Sequence, residues 1–368
     1  MRGSLLLSPP SLALPGPSNP SPRLLTVDLI RWLSFYAIVI YHLTFALWAR
    51  YSLNHIPIRG PLVWPLENYA RAFSFSGFTI IFLSFFMFGF NGNKSKKAAW
   101  LPLILLGFAV IWLATVEEFP FWWDIYPYLL CALAALFIVQ KLKVAPPTLA
   151  LASGITLSIP FWNLEKLMAL PVWAATILLG ACQTRNDLGD WPLLPWIAYP
   201  LFAYGIGQLA VKNRQALKQL AMPETLVWAA ALSTSVIYLG GYFHTPIGEE
   251  FGCSVFRRPP IEFWAHQLWI FFIVRLSFLP AVHEWLAKRT VAQWISNSPV
   301  NRSFFLIYFI HYPIAFALAW LARERGLDQA PWILAATFIL LFLSVECLKL
   351  VPIPEAPWLR TNAKSLTT

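Results

Sequence analysis

Apolar windows long enough to cross about 30 Å of hydrocarbon as helices recur along almost the whole chain, separated by short polar stretches. Hydrocarbon offers no water to the backbone, so a segment in it must satisfy its own N–H and C=O groups, and repeated windows of this kind specify helices. Composition agrees. The chain is 58% hydrophobic and 12% charged, where soluble domains carry about 25% charged residues, and its mean hydropathy is +0.60. The expectation is an all-α, polytopic transmembrane helical bundle with no room for a sizeable soluble domain.

The windows fall at 26–49, 71–91, 98–116, 125–141, 148–162, 192–210, 223–240, 262–280, 301–321 and 331–350, ten in all. An eleventh apolar segment, 166–182, contains Pro171. Its place follows from charge. Lys94, Lys96 and Lys97 put the loop after the second span in the cytoplasm, and Lys141 and Lys143 do the same for the loop after the fourth. The acidic loop between them, with Glu117, Glu118 and Asp124, then lies outside. Lys212, Arg214 and Lys218 also belong inside, which requires 163–190 to stay on the outer side. Segment 166–182 is therefore expected to be re-entrant or interfacial, with both termini cytoplasmic. Arg50, Arg59 and Arg71 fall in an outer loop, against the same rule.

Residues 1–24, rich in Pro and Ser, read as a disordered tail, 25–352 as the membrane domain and 353–368 as a C-terminal tail. The net charge of +10 sits in short runs between apolar windows, a pattern of anchoring in a cell membrane rather than of nucleic-acid binding. The four Cys show no metal-ligand spacing, and no metal is expected. Cys182 and Cys253 both fall in outer loops, where an oxidising space permits a disulfide.

The first span carries Asp28, Arg31 and His42. Eleven helical steps make three turns plus about 20°, so Arg31 and His42 share a face about 16 Å apart along the axis, with Asp28 on the same stripe. An intramembrane Arg costs roughly 2.5–3.5 kcal/mol on insertion scales, so such a stripe faces the bundle interior or a watery cavity. Two readings follow. Either the stripe is a functional site, or Asp28 and Arg31 pair near the inner interface while His42 bonds a neighbouring helix.

Four stretches in order carry a resemblance: Asp-Leu-Ile-Arg followed by ten residues and His42; GFTIIFLSFFMFGF (77–90); DWPLLPWIAYPLFAYGIG (190–207); and SFFLIYFIHYPI (303–314). Together they resemble the transmembrane acyltransferase superfamily, which includes the acyltransferase-three enzymes that O-acylate surface polysaccharides and bacterial relatives of heparan-α-glucosaminide N-acetyltransferase. The chain departs from that pattern at Trp32, where the family commonly has Gly after Arg. For the loop histidine of the heparan branch it offers only His55. The resemblance implies transfer of an acetyl or short acyl group from acyl-CoA to a sugar hydroxyl or amine of a glycan or glycolipid.

That chemistry needs a base for the acceptor's proton, donors for the tetrahedral oxyanion and cations for the donor's phosphates. Imidazole has a suitable pKa, and His42 and His311 are the histidines on apolar spans that fall on the resembling stretches. By the resemblance either can be base or electrophile; the stripe shared with Arg31 favours His42. Arg31 is the candidate for the acyl-CoA phosphates. Asp28, Tyr308, one turn from His311, and Trp122 and Trp123 are candidates for contacting the acceptor, the two Trp otherwise being interface-belt residues.

His266 and Glu262, four apart, are expected to bond each other. Arg275 points to the opposite face of that helix, and Glu346 in the last span is left to pair with any of these. A transporter or flippase using Arg31, His42 and His311 as a substrate or proton path is the other function class. The matching broken helices that transporters commonly show in two halves are not seen in the sequence.

Overall fold

The structure, a computed structural model, describes residues 24–48, 76–91, 125–159, 193–212, 224–239, 260–302, 304–327 and 332–348, together with 171, 174, 177, 178 and 330. Among these residues the regular elements are all helices: α1 (Leu25–Trp48), α2 (Ser76–Asn91), α3 (Ile125–Lys141), α4 (Pro146–Leu157), α5 (Ala198–Lys212), α6 (Glu224–Leu239), α7 (Pro260–Leu276), α8 (Pro280–Ala287), α9 (Thr290–Ser296), α10 (Pro299–Arg302), α11 (Phe304–Glu324) and α12 (Ile333–Cys347). The expected third span, 98–116, lies outside the described residues.

Local chemistry sets the helix ends. Prolines stand at the starts of α4, α7, α8 and α10, where a missing N–H costs nothing because the first turn has no intrahelical acceptor for it. At the end of α3, Lys143 takes φ 52°. Its N–H bonds Gln140 O and that of Val144 bonds Val139 O, closing the helix with a left-handed cap. Gly326, at φ 64°, closes α11 in the same way. The compact α3 cap lets α4 begin at Pro146, only five residues after α3 ends at Lys141.

α1 is the hub. It touches α2 and each of α7 to α12, while α5 is held mainly by α2 and α4. α2 and α5 approach each other closely. A Cβ built on Gly89 would collide with the carbonyl of Tyr204, and one on Gly207 with that of Phe86. Only glycine permits this crossing, an arrangement that small residues provide between membrane helices.

Contacts also fix the relative directions of the longer helices. Phe78 meets Trp196 and Phe88 meets Tyr204, so α2 and α5 run parallel. Tyr128 bonds Trp196 O and Gln140 bonds the Tyr204 hydroxyl, so α3 runs the same way. Thr79 pairs with His266 and Phe90 with Phe278, which adds α7 to that set. α4 opposes α5, since Ala150 faces Gly205 while Gly154 faces Phe202. α6 opposes α7, with Ser235 against Trp269 and Trp228 near Leu276. Asn301, just before α11, bonds Asp28 at the start of α1, and His311 meets His42 further along, so these two are parallel. α12 returns: Glu346 near its end reaches Trp32 near the start of α1.

The chain between α4 and α5 thus leaves and re-enters at the same end of that pair. Within segment 166–182, the described residues Ile177 and Leu178 accept backbone bonds from Leu193 and Leu194 just before α5. The Leu194–Pro195 peptide there is cis.

The core is largely apolar but also admits charged side chains, and many apolar side chains are exposed. Asp28, Arg31, His266, Gln267, Arg275, His311 and Glu346 are buried, while Phe137, Leu151, Leu232, Trp320 and Leu343 are about half exposed or more. By length and composition, α1 is the one described helix that suffices alone to cross a membrane. The α7 and α8 pair does so only if counted as one element, bent by 72°. α12 covers 15 residues, fewer than the window 331–350.

Candidate functional site

On α1, residues 28, 35 and 42 repeat every seven positions and fall on one stripe, while Trp32 and Tyr36, one turn apart, form the adjacent one. The two stripes meet different partners. Phe35 and His42 face His311 of α11, with ring centroids 5.2 Å and 5.1 Å away. Trp32 and Tyr36 face Glu346 of α12. Asp28 faces the short helices that precede α11.

The two histidines bond each other. His42 Nδ1 lies 2.9 Å from His311 Nε2. On its other side, His311 Nδ1 meets the backbone carbonyl of Tyr308. A carbonyl oxygen only accepts, so the Nδ1 of His311 carries the proton, and in a neutral ring its Nε2 is then the lone pair. His42 must therefore donate from Nδ1. That leaves the Nε2 of neutral His42 as a lone pair facing away from the pair. His311 is 1% exposed, whereas His42 is partly exposed and stands edge-on to Tyr312 at 4.8 Å. The chain of partners thus ends in one accessible base, held by a ring that is itself fixed to the backbone.

Asp28 and Arg31 are both 5% exposed and form a long ion pair of 3.9 Å. Asp28 also accepts from the Ser296 hydroxyl at 2.6 Å, and its backbone carbonyl accepts from Asn301 at 3.0 Å. This cluster ties α1 to α9 and α10, one stripe-length from His42, so the sequence-predicted residues divide into two groups. His42, His311 and Tyr308 come together, Tyr308 through its carbonyl and a ring centroid 5.2 Å from that of His311. Asp28 and Arg31 stand apart from them. Trp122, Trp123, His55, Cys182 and Cys253 lie outside the described residues.

Two clusters hold the other polar groups. His266 takes partners across helices: its Nε2 lies 2.9 Å from Thr79 Oγ1 and its Nδ1 3.3 Å from the Tyr199 hydroxyl, with Gln267 at 3.4 Å. Both ring nitrogens are engaged there, on α2 and α5; the side chain of Glu262 lies outside the described residues. Glu346 is served from α1 and from Ser298, just before α10. Its Oε1 accepts from Ser298 at 2.6 Å, Tyr36 at 2.9 Å and Trp32 at 3.2 Å. The departure at Trp32 thus has a structural use, since its indole N–H serves that carboxylate.

The sequence offers His42 and His311 as rival bases, and nothing in it shows that they bond each other. Among the described residues no group of three or more His, Cys, Asp or Glu converges as metal ligands would. No protein family, curated protein or solved structure matches the chain.

Proposed function

We propose that this chain is a multi-pass membrane acyltransferase of about ten spans, with both termini cytoplasmic, that moves an acetyl or short acyl group from acyl-CoA to a sugar hydroxyl or amine of a glycan or glycolipid. The observation that carries the chemistry is the ordered sequence Tyr308 carbonyl, His311, His42, which leaves one imidazole nitrogen available as a base. The membrane reading is supported by buried charge beneath exposed apolar side chains. Helix directions support the count: the start of α1 lies by the end of α7 and the start of α6, so α1, α4, α6 and α11 run one way and α2, α3, α5, α7 and α12 the other, as alternation of the ten windows requires.

In this reading His42 Nε2 takes the proton of the acceptor hydroxyl or amine as that atom attacks the thioester carbonyl. The tetrahedral adduct collapses with cleavage of the C–S bond. The proton on His42 Nε2 then passes to the leaving thiolate, so acid and base roles fall to one ring and the pair returns to its starting state. His311 positions His42 and fixes its tautomer. Arg31 lies about 16 Å along α1, and meets the donor's phosphates by exchanging its long contact with Asp28 for a charge-assisted one.

The test is release of CoA from labelled acetyl-CoA by purified protein in detergent, with a panel of sugar acceptors, reported per folded molecule. His42→Ala should lose roughly 10²- to 10⁴-fold in turnover, the usual worth of a positioned base. Near wild-type turnover in His42→Ala together with a large loss in His311→Ala would make His311 the base. If neither variant loses activity, the mechanism fails. Arg31→Ala should raise the acetyl-CoA concentration required more than it changes acceptor use; unchanged affinity for CoA would leave Arg31 a structural partner of Asp28.

A further inference from the structure

A cavity of about 510 Å³ lies between the start of α1, the start of α6, the end of α7 and all of α8. Its wall is almost wholly apolar, with Leu29 and Ile30 of α1, Trp228 of α6 and Leu276 of α7 among its residues. On α8, Ala281, Val282, Trp285 and Leu286 face it, the i, i+1, i+4, i+5 pattern of one helix face. His283 and Glu284 take the other face and are exposed, and Lys288, just past the end of α8, is exposed beside Arg289.

The mouth is marked by two tryptophans, Trp228 at 50% and Trp285 at 57% exposure. Over the Trp285 ring, at 5.0 Å, sits the guanidinium of Arg289, with Lys288 beside it in sequence. An aliphatic slot capped by aromatic rings and cations matches an amphiphile with an apolar tail and an anionic head.

We infer that this cavity binds one acyl chain of an anionic phospholipid of the cytoplasmic leaflet, with its phosphate at Lys288 and Arg289. The inference rests on the membrane placement proposed above and not on acyl transfer. All four wall segments fall at the end of the bundle that the basic loops place in the cytoplasm, where anionic headgroups gather. The occupant is not the acyl donor. Ile30, the wall residue of α1 nearest His42 in sequence, precedes it by twelve residues, about 18 Å, and a tail in the slot with its head at Arg289 holds its carbonyl far from the histidine pair. The 72° elbow between α7 and α8 opens the slot, and the bound chain fills the space between that elbow and α1.

Thermal unfolding of the full-length protein in detergent tests this, with added phosphatidylglycerol compared with phosphatidylcholine of the same chains. Native mass spectrometry of retained lipid is the second readout. Phosphatidylglycerol should raise the transition by several degrees and be retained as one copy, and phosphatidylcholine should do so weakly. Ala281→Trp, at an exposed position of α8, fills the slot and should abolish both effects while unfolding without lipid as the parent does. Lys288→Glu with Arg289→Glu should weaken phosphatidylglycerol binding at least about tenfold, since each basic group near an anionic surface counts about fivefold. It keeps the test open if Ala281→Trp misfolds. Equal effects of the two lipids, or binding unchanged in both variants, would overturn the proposal. Stabilisation by palmitoyl-CoA but not by phosphatidylglycerol would also overturn it, by making the slot a donor site. The membrane reading fails separately, if the protein stays soluble without detergent.

Discussion

At the scale of single residues, the histidine pair shows how a backbone carbonyl can set the chemistry of a side chain two partners away. The Tyr308 carbonyl fixes the proton on His311, and His311 fixes the proton on His42. A glutamine at 311 can reproduce an acceptor for His42 but not the ring's rigid, backbone-tied geometry. His311→Gln is therefore expected to retain more turnover than His311→Ala and less than wild type, with His42→Ala the most impaired; equal activity of the two 311 variants would argue against a positioning role. Glu346 is a second such case. Its Oε1 serves three donors, so Glu346→Ala removes the acceptor of Ser298, Tyr36 and Trp32 together. Each polar group orphaned in the interior costs roughly 1–3 kcal/mol. We expect Glu346→Ala to lower stability by about 3 kcal/mol or more, and Tyr36→Phe by about 1 kcal/mol, in denaturant or thermal unfolding of the detergent-solubilised protein.

Between elements, the α2 and α5 crossing is the most sharply specified contact. Gly89 and Gly207 each face the other helix's backbone, which cannot move aside as a side chain can. Gly89→Ala and Gly207→Ala should each destabilise by on the order of 1–3 kcal/mol, the usual cost of overpacking, or prevent folding. Gly154→Ala is the contrast. Its Cβ would come no closer than 3.4 Å to the Phe202 ring, and alanine within a helix gains about 0.5–1 kcal/mol over glycine. It should be neutral or stabilising. If all three behave alike, close backbone approach is not what the glycines provide.

For the whole molecule, helix direction is the property that can be checked without any assay of function. In a background with all four cysteines replaced by serine, single cysteines at Ser158, at the end of α4, and at Lys141 and Lys212, at the ends of α3 and α5, report opposite ends of the bundle. On the proposed orientation Ser158→Cys reacts with an impermeant reagent added outside intact cells, whereas Lys141→Cys, Lys212→Cys and Lys96→Cys react only after permeabilisation. Labelling of Lys96→Cys from outside would reverse the orientation. Labelling of Ser158 and Lys212 from the same side would break the alternation on which the count rests.

Nine of the ten apolar windows meet a described helix, and these were legible in the chain because hydropathy acts on each segment separately. The stripe of Asp28, Arg31 and His42 was legible too, since helical periodicity alone places residues on a face. The elements between α7 and α11 were not anticipated. They are three short helices, two opened by Pro280 and Pro299, and nothing periodic extends far enough to reveal them. Pairing was likewise beyond the sequence. Whether His42 meets His311, whether Thr79 and Tyr199 meet His266, and which donors surround Glu346 depend on which faces of different helices are pressed together. That choice is made by close packing across the bundle, above all by the glycines that bring α2 against α5 and by α1, which touches most of the other helices. A local pattern fixes where a side chain points from its own axis, and only the assembled bundle fixes what it points at.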